Sequence, residues 1–409
     1  MPLGLSIATR TCCFSALGII CQLYLKELGG SRFQISLSST LAWGAIMLFS
    51  RFWGALSDAW SMRRGTILLA AVGATLATLI LIGSGSIAGV LTGRFLVEMF
   101  GAGLPPAALA LLSERGGAAG RGKRISIFTT SQAIGLLSGS LLGGFLSSNV
   151  PFYGAFGVVA GLSGVTVVGA LLIPRRDGGA TIRGRSLRLV IKKMVPSFGA
   201  VIEDRSLREC GLPHLYGGVI LRKAGVVGIY GLIIVYLQER LGMTAFASGA
   251  LSALNPAAQA IFMPFWGRGA DVFGRRPVFL AGHLLTLLLP TLILLSDSIW
   301  LIMGSFLVLG LGFAGFITGI TAYIGDIAPE DKQGELMGLV KVSQGFGGIL
   351  GPLVAGVVSS PSVIGYDGMF ITMFGVILVG FTLIFVGTQE SRRGRGPSHC
   401  GGPRPVRSD

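Results

Sequence analysis

Arg94 and Glu98 stand four residues apart in GRFLVEMFGAG, a stretch with no other charge. On a helix that spacing puts both side chains on one face, close enough to form an ion pair. An ionised acid is costly near the middle of a bilayer, so Glu98 is a natural proton carrier, and loss of its charge would release Arg94. The alternative is a permanent structural pair. Arg10 and Arg222 are further arginines deep in apolar runs. Three deep arginines against one deep acid predict a positive cavity suited to an anionic or zwitterionic small molecule. The arginines could instead pair with helix-end carbonyls or lipid phosphates. Lys223 and Lys341 are read as lying nearer the surface and snorkelling to it. Gln132, Gln344, Asn255 and Gln259 offer hydrogen bonds to a solute or, equally, to neighbouring helices. No nucleophile, base or metal cluster suggests an enzyme. GAAGRGK, at 117–123, matches a phosphate-loop pattern, but Arg124 replaces the required hydroxyl residue and no strand precedes it, so no nucleotide cofactor is expected.

The elements that hold these residues must be membrane helices. About half of the 409 residues are hydrophobic and only 12% are charged, against about 25% charged in soluble domains. Mean hydropathy is +0.74. Apolar runs long enough to cross a bilayer recur along the chain. We place twelve at about 4–25, 33–53, 66–84, 88–112, 125–147, 152–173, 214–237, 245–265, 277–296, 299–324, 336–358 and 368–388. An even number puts both termini on one side. Loops on that side carry 24 Lys and Arg; the opposite loops carry only Lys26, Arg32 and Arg240. The positive-inside rule then predicts cytoplasmic termini of a multi-pass protein of the cell membrane. The net charge of +15 follows from the same loops, and no nucleic-acid partner is expected. The first apolar run is read as a retained span. Five cysteines without C-x-x-C spacing suggest neither a metal site nor a disulfide framework.

A repeat divides the chain. FWGALSDAWSMRRG from Phe52 is echoed by FWGRGADVFGRRP from Phe265. SQAIGLLSGSLLGG at Ser131 meets SQGFGGILGPLVAG at Ser343, and Arg10 meets Arg222, all at nearly constant offset. The domains expected are a six-helix bundle over 1–173, a basic linker over 174–212 with an amphipathic centre, a second six-helix bundle over 213–389, and a tail over 390–409. The doubled polar knot joins spans two and three, and eight and nine. Gly54 and Gly267 there permit close helix approach. Asp58 and Asp271 can accept from another helix's N-terminus. Arg63, Arg64, Arg275 and Arg276 can pair with carboxylates or lipid phosphates. The expectation is a latch on the cytoplasmic side that holds the two halves together.

The second knot, with Gly267, Asp271, Gly274, Arg275 and Arg276, resembles the loop signature G-x-x-x-D-x-x-G-R-R of the major facilitator superfamily. The first copy is similar at Gly54, Asp58 and Arg63, and departs at Ala59, Ser61 and Met62. Arg94 resembles the family's fourth-span arginine. The glycine motif of span five resembles that of antiporters, with Ser140 in place of a proline that the other half keeps as Pro352. The resemblance covers nearly the whole chain and is nearest the twelve-span drug–proton antiporters. It implies an all-α membrane fold of two pseudo-symmetric six-helix bundles, a cavity lined by spans one, four, seven and ten, and alternating access without a cofactor. The expected function is proton-coupled efflux of a small organic solute by a monomer. The competing expectations are a facilitator or importer of an organic anion or sugar, and a non-transporting receptor.

Overall fold

In lipid a chain without a closed barrel satisfies its backbone only by helix, and this sequence does so almost throughout. The computed structural model describes residues 2–60, 62–114, 121–174, 207–208, 210–295, 297–328 and 332–390. The centre of the basic linker and nearly all of the tail lie outside these. Among the described residues the fold is all-α; its helices group into twelve rods, of which nine, or ten with one bent pair, are long and apolar enough to cross a membrane. Of the twelve rods, nine are single helices: Pro2–Glu27, Arg32–Trp60, Arg63–Ile82, Arg121–Asn149, Phe152–Leu171, Ala245–Phe273, Ile299–Ile327, Gln333–Val358 and Gly365–Gly387. Three are broken. Span four is Ile87–Gly101 then Leu104–Glu114, span seven Leu212–Tyr230 then Ile233–Leu241, and span nine Arg275–Thr286 then Leu288–Leu295.

The breaks have different causes. In span four Pro105 and Pro106 lack the N–H that would continue the ladder. In span seven the two pieces meet at 43° with no proline; Gly231 there lies against Ser36 and Pro352, where a Cβ would crowd both. Pro256 and Pro264 of span eight, by contrast, are carried within one continuous helix.

Spans five and eight are each 29 residues long. They are small-residue helices that meet other helices closely. Gly135, Gly139 and Gly143 lie against Ala8, Cys12 and Ala16 of span one, and Gly347 and Gly351 lie against Ile220 and Ala224 of span seven. The same pairing thus occurs in both halves, with small residues letting backbones approach, as helix association in lipid requires.

The two halves also touch each other. Gly144 of span five meets Ala245 and Gly249 of span eight, and Gly345 and Gly348 of span eleven meet Met47 and Trp43 of span two. Pro2 packs near Gly169 in the first half, and Gly211 near Gly387 in the second. The opposite ends of the halves are joined by Arg32, which donates to the Ser359 carbonyl. Both termini of the helical body therefore share one face, here the terminus side; the other is the far side.

Gly139→Leu should force a side chain into the Cys12 carbonyl and Ser15, costing about 1–3 kcal/mol. Gly157→Ala, which meets nothing within 4 Å, should be neutral or slightly stabilising. Thermal unfolding of the two variants in detergent checks this; equal melting temperatures would refute the close-packing account.

Candidate functional site

Glu98 is the one fully buried carboxylate among the described residues. Span four carries it 11 residues beyond Ile87, about 16 Å along the helix. Arg94 lies one turn nearer the far side, and its Nη1 is 3.0 Å from Glu98 Oε1. The i,i+4 pair expected from the sequence is thus present. Arg10 of span one, approaching from the terminus side, donates through Nη2 to the other oxygen, Oε2. Its guanidinium lies over Gly101, where any Cβ would collide with it. Arg94 also donates to the Phe14 carbonyl at 3.3 Å, with Phe14's ring 5.3 Å from its guanidinium. The Nε and Nη1 of Arg10 have no partner. The result is a triad of net charge +1 at mid-depth, with one acid holding two bases. Sequence reasoning named all three residues but did not predict that Arg10 reaches Glu98.

Arg222, the counterpart of Arg10, does not join them. It is 2% exposed. Its Nε and Nη2 donate to Thr286 Oγ1 of span nine at 3.1 and 2.8 Å, and the Phe316 ring lies 4.1 Å away. No carboxylate meets it among the described residues. The neighbouring His283 is fully buried and bonds through Nε2 to the Ile377 carbonyl. Arg222 therefore belongs to the packing between spans seven, nine and ten rather than to an open cavity wall. That weakens the count of three cavity arginines on which the expected positive charge rested.

Asn255 and Gln259 form a ladder, with Asn255 donating to the Tyr230 hydroxyl and Gln259 to Asn255, both at 2.7 Å. Gln132 and Gln344 are half-buried. Lys223 departs from expectation. It stands 11 residues beyond Leu212, about 16 Å along span seven, and does not reach the surface. Its ammonium lies 4.2 Å from the Trp43 ring of span two, in the other half.

The halves part toward the terminus side. The face of span eight that meets span five at Gly249 stays buried at Ala253 and Pro256, then is exposed at Ala260, Pro264 and Asp271. The matching face of span five passes from buried Gly144 and Ser140 to exposed Thr130. On span eleven the face that meets span two at Gly348 and Gly345 ends in exposed Lys341.

At this open end the polar knots make contacts inside their own halves. Arg63 donates to Asp58 and to Ser57, and Arg64 to the Leu171 carbonyl. Arg275 donates to Asp271 at 2.7 Å and to Asp326 of span ten at 3.0 Å. Arg276 donates to the Phe385 carbonyl. Glu390 accepts from the Arg275 amide beside Gly274, whose φ of 98° favours glycine. The close approach predicted at Gly54 and Gly267 is not seen among the described residues: a Cβ on Gly54 would make ordinary contact with Pro106 at 3.8 Å, and one on Gly267 would meet none of them within 4 Å.

A latch between halves stands instead on the far side, where sequence reasoning did not look. Glu239, at the end of span seven, accepts from Arg32 at 3.2 Å and from the Tyr366 hydroxyl at 2.9 Å, with Lys26 3.8 Å away. The Arg32 guanidinium also lies 3.7 Å from the Tyr366 ring. Gln22 donates to the Tyr230 carbonyl and Ser148 accepts from the Phe246 amide. Two of the three basic residues that break the charge asymmetry of the loops thus have a common acidic partner.

Two helical bundles, closed together on one side of the membrane and parted on the other, with buried charge between, define a membrane carrier rather than an enzyme. The chain belongs to the major facilitator superfamily, whose profile matches residues 3–214 and again 215–408. Over 190 residues it is 28% identical to a probable peptide/nitrate transporter of Arabidopsis thaliana, covering 43% of this chain and 38% of that protein. Over 127 residues it is 33% identical to the multi-drug resistance efflux pump PmrA of Streptococcus pneumoniae, covering 30% and 31%. The matches thus span about a third of the length of these curated relatives. In fold it is similar to a crystallised variant of the nucleoside transporter NupG, with a TM-score of 0.79 at 12% identity, covering 95% of this chain and 99% of that one.

Glu239→Gln should loosen the far-side closure. Two partly exposed ion pairs are worth about 0.2–1 kcal/mol each, so the closed population should fall roughly two- to thirtyfold relative to the open one. Distances between spin labels on the far-side ends of spans two and eleven measure this; an unchanged distribution would show that helix packing alone closes the far side.

Proposed function

We propose that this protein is a proton-coupled secondary transporter that exports a small anionic or zwitterionic organic solute by alternating access. The observation that carries the reading is Glu98, buried between Arg10 and Arg94 at mid-depth. Adding a proton there would leave two guanidiniums without their counter-ion, a costly state in a low-dielectric setting. An incoming anion can relieve it by pairing with Arg10, whose Nε and Nη1 are unpartnered. Proton and solute would then be coupled through one arginine. Efflux is supported by the likeness to multi-drug resistance efflux pumps, and an anionic or zwitterionic solute by the likeness to a probable peptide/nitrate transporter.

In this reading the terminus side is cytoplasmic, supported by the 24 to 3 distribution of basic residues in the loops, and the membrane is the cell membrane. The cleft then opens to the cytoplasm, as an exporter needs for loading. The paired knots around Asp58 and Asp271 would exchange partners and join the halves when that side closes. Asn255, Gln259, Gln132 and Gln344 offer neutral polar contacts to the solute. The grip of both Glu98 oxygens by arginines favours a second reading, in which the triad is a fixed strut in a facilitator or importer of organic anions.

Glu98→Gln separates the two. In reconstituted vesicles it should abolish proton-driven transport while solute exchange persists, and collapsing the proton gradient should stop efflux by the wild type. Retention of wild-type pH dependence by Glu98→Gln would leave the strut reading standing.

A further inference from the structure

The second half holds cations that the triad does not balance. Lys223 sits at mid-depth on span seven, and Lys341 eight residues beyond Gln333 on span eleven. Spans seven and eleven are locked side by side by Gly347, whose Cβ position would be 2.8 Å from Lys223 Cβ. Lys341 stands six residues before Gly347, about 9 Å along span eleven, and Arg222 directly precedes Lys223. Neither lysine meets a carboxylate among the described residues. Lys341 is exposed on the face of span eleven that packs against span two one and two turns further along. It therefore faces the mouth of the cleft rather than lipid. Trp43 forms the opposite wall, 4.2 Å from the Lys223 ammonium.

Lys341 is exposed and Lys223 partly so, and two cations at membrane depth without an acid among the described residues are stabilised by a bound anion. We infer that Lys223 and Lys341, with Trp43 opposite, form the seat for the transported solute, and that this solute is an aromatic or apolar organic carboxylate. Its carboxylate lies between the ammoniums and its ring on the indole. The inference refines the substrate class proposed above and rests on that reading for its link to transport, though not for binding itself. The indole offers an apolar face that a bare inorganic anion would not use. It also joins the seat to the triad, since Trp43 stands edge-on to Phe14 at 6.2 Å, and Phe14 is the residue that Arg94 contacts.

The test is equilibrium binding to the purified full-length chain in detergent, with benzoate and phthalate as anionic probes and benzylammonium as the cationic counterpart. Both acids should bind the wild type, phthalate more tightly, and benzylammonium should not. Lys223→Met and Lys341→Met should each weaken phthalate about ten- to hundredfold, as loss of a charged hydrogen bond does. Lys223→Arg and Lys341→Arg should largely restore it. Because each methionine removes an uncompensated charge, the ligand-free variants should melt no lower than wild type, which separates a binding role from a structural one. Failure of either acid to bind, unchanged binding in the methionine variants, or tighter binding of benzylammonium would each overturn the inference. Binding that survives while Glu98→Gln keeps wild-type proton dependence would discard the coupling mechanism and leave the seat intact.

Discussion

A charge inside a bilayer is tolerated only with a partner or with water, and in this protein that constraint organises the space between the two bundles. Glu98 meets it by holding two arginines at once, one from its own helix and one from span one. Replacing the acid without replacing the arginines would leave two buried cations, which is far more costly than removing the whole group. The triad therefore fixes how spans one and four sit together. Gly101 has to lack a side chain so that Arg10 can lie across span four.

Around this fixed charge the structure divides its close contacts unevenly. Glycines bring spans one and five, and seven and eleven, together along much of their length. Between the halves, the tightest glycine contacts lie at mid-depth and beyond, toward the far side, and the Glu239 cluster closes that end. Gly144 and Gly249 bring two backbones together directly, whereas Met47 and Trp43 lean into the notches left by Gly345 and Gly348. Hydrogen bonds such as Ser36 to the Pro352 carbonyl, at 2.8 Å, are few and replaceable by water. Such an interface can open on one side while each bundle stays intact, which is the geometry alternating access demands.

Much of this was legible in the sequence because it follows from spacing alone. Span positions follow from apolar runs, the pairing of Arg94 with Glu98 from a four-residue interval, and the helix–helix ladders from glycines four apart. What was hidden depends on how helices rotate and lean against one another. Arg10 could not be assigned to Glu98 without the depth and azimuth of two separate helices. Lys223 was read as snorkelling because a sequence does not show that Trp43 stands across from it. Lys26 and Arg32 looked like mere exceptions to a charge rule, yet they are the basic half of the far-side latch. The bend in span seven carries no proline, and Gly231 lies there against Ser36 and Pro352 of neighbouring helices. Asp58 and Asp271 were recognisable as paired elements, but that each holds an arginine of its own half is visible only in the structure.

The repeat makes the asymmetry between the halves informative. Arg10 and Arg222 occupy corresponding places, and both point into helix packing at depth. In the first half the arginine found a carboxylate. In the second it found a hydroxyl and an aromatic ring, which offset burial less completely than an ion pair. Lys223, the next residue, adds a second cation and Lys341 a third, still without an acid. An equally balanced pair of halves would present a neutral cleft and select solutes by shape alone. Among the described residues the first half balances most of its buried charge with Glu98, while Arg222, Lys223 and Lys341 of the second have no carboxylate partner. Contacts through Arg94, Phe14, Trp43 and Lys223 run from the first half to the second, so on the proposed reading an anion against Lys223 would rest on the same aromatic pair that supports Arg94.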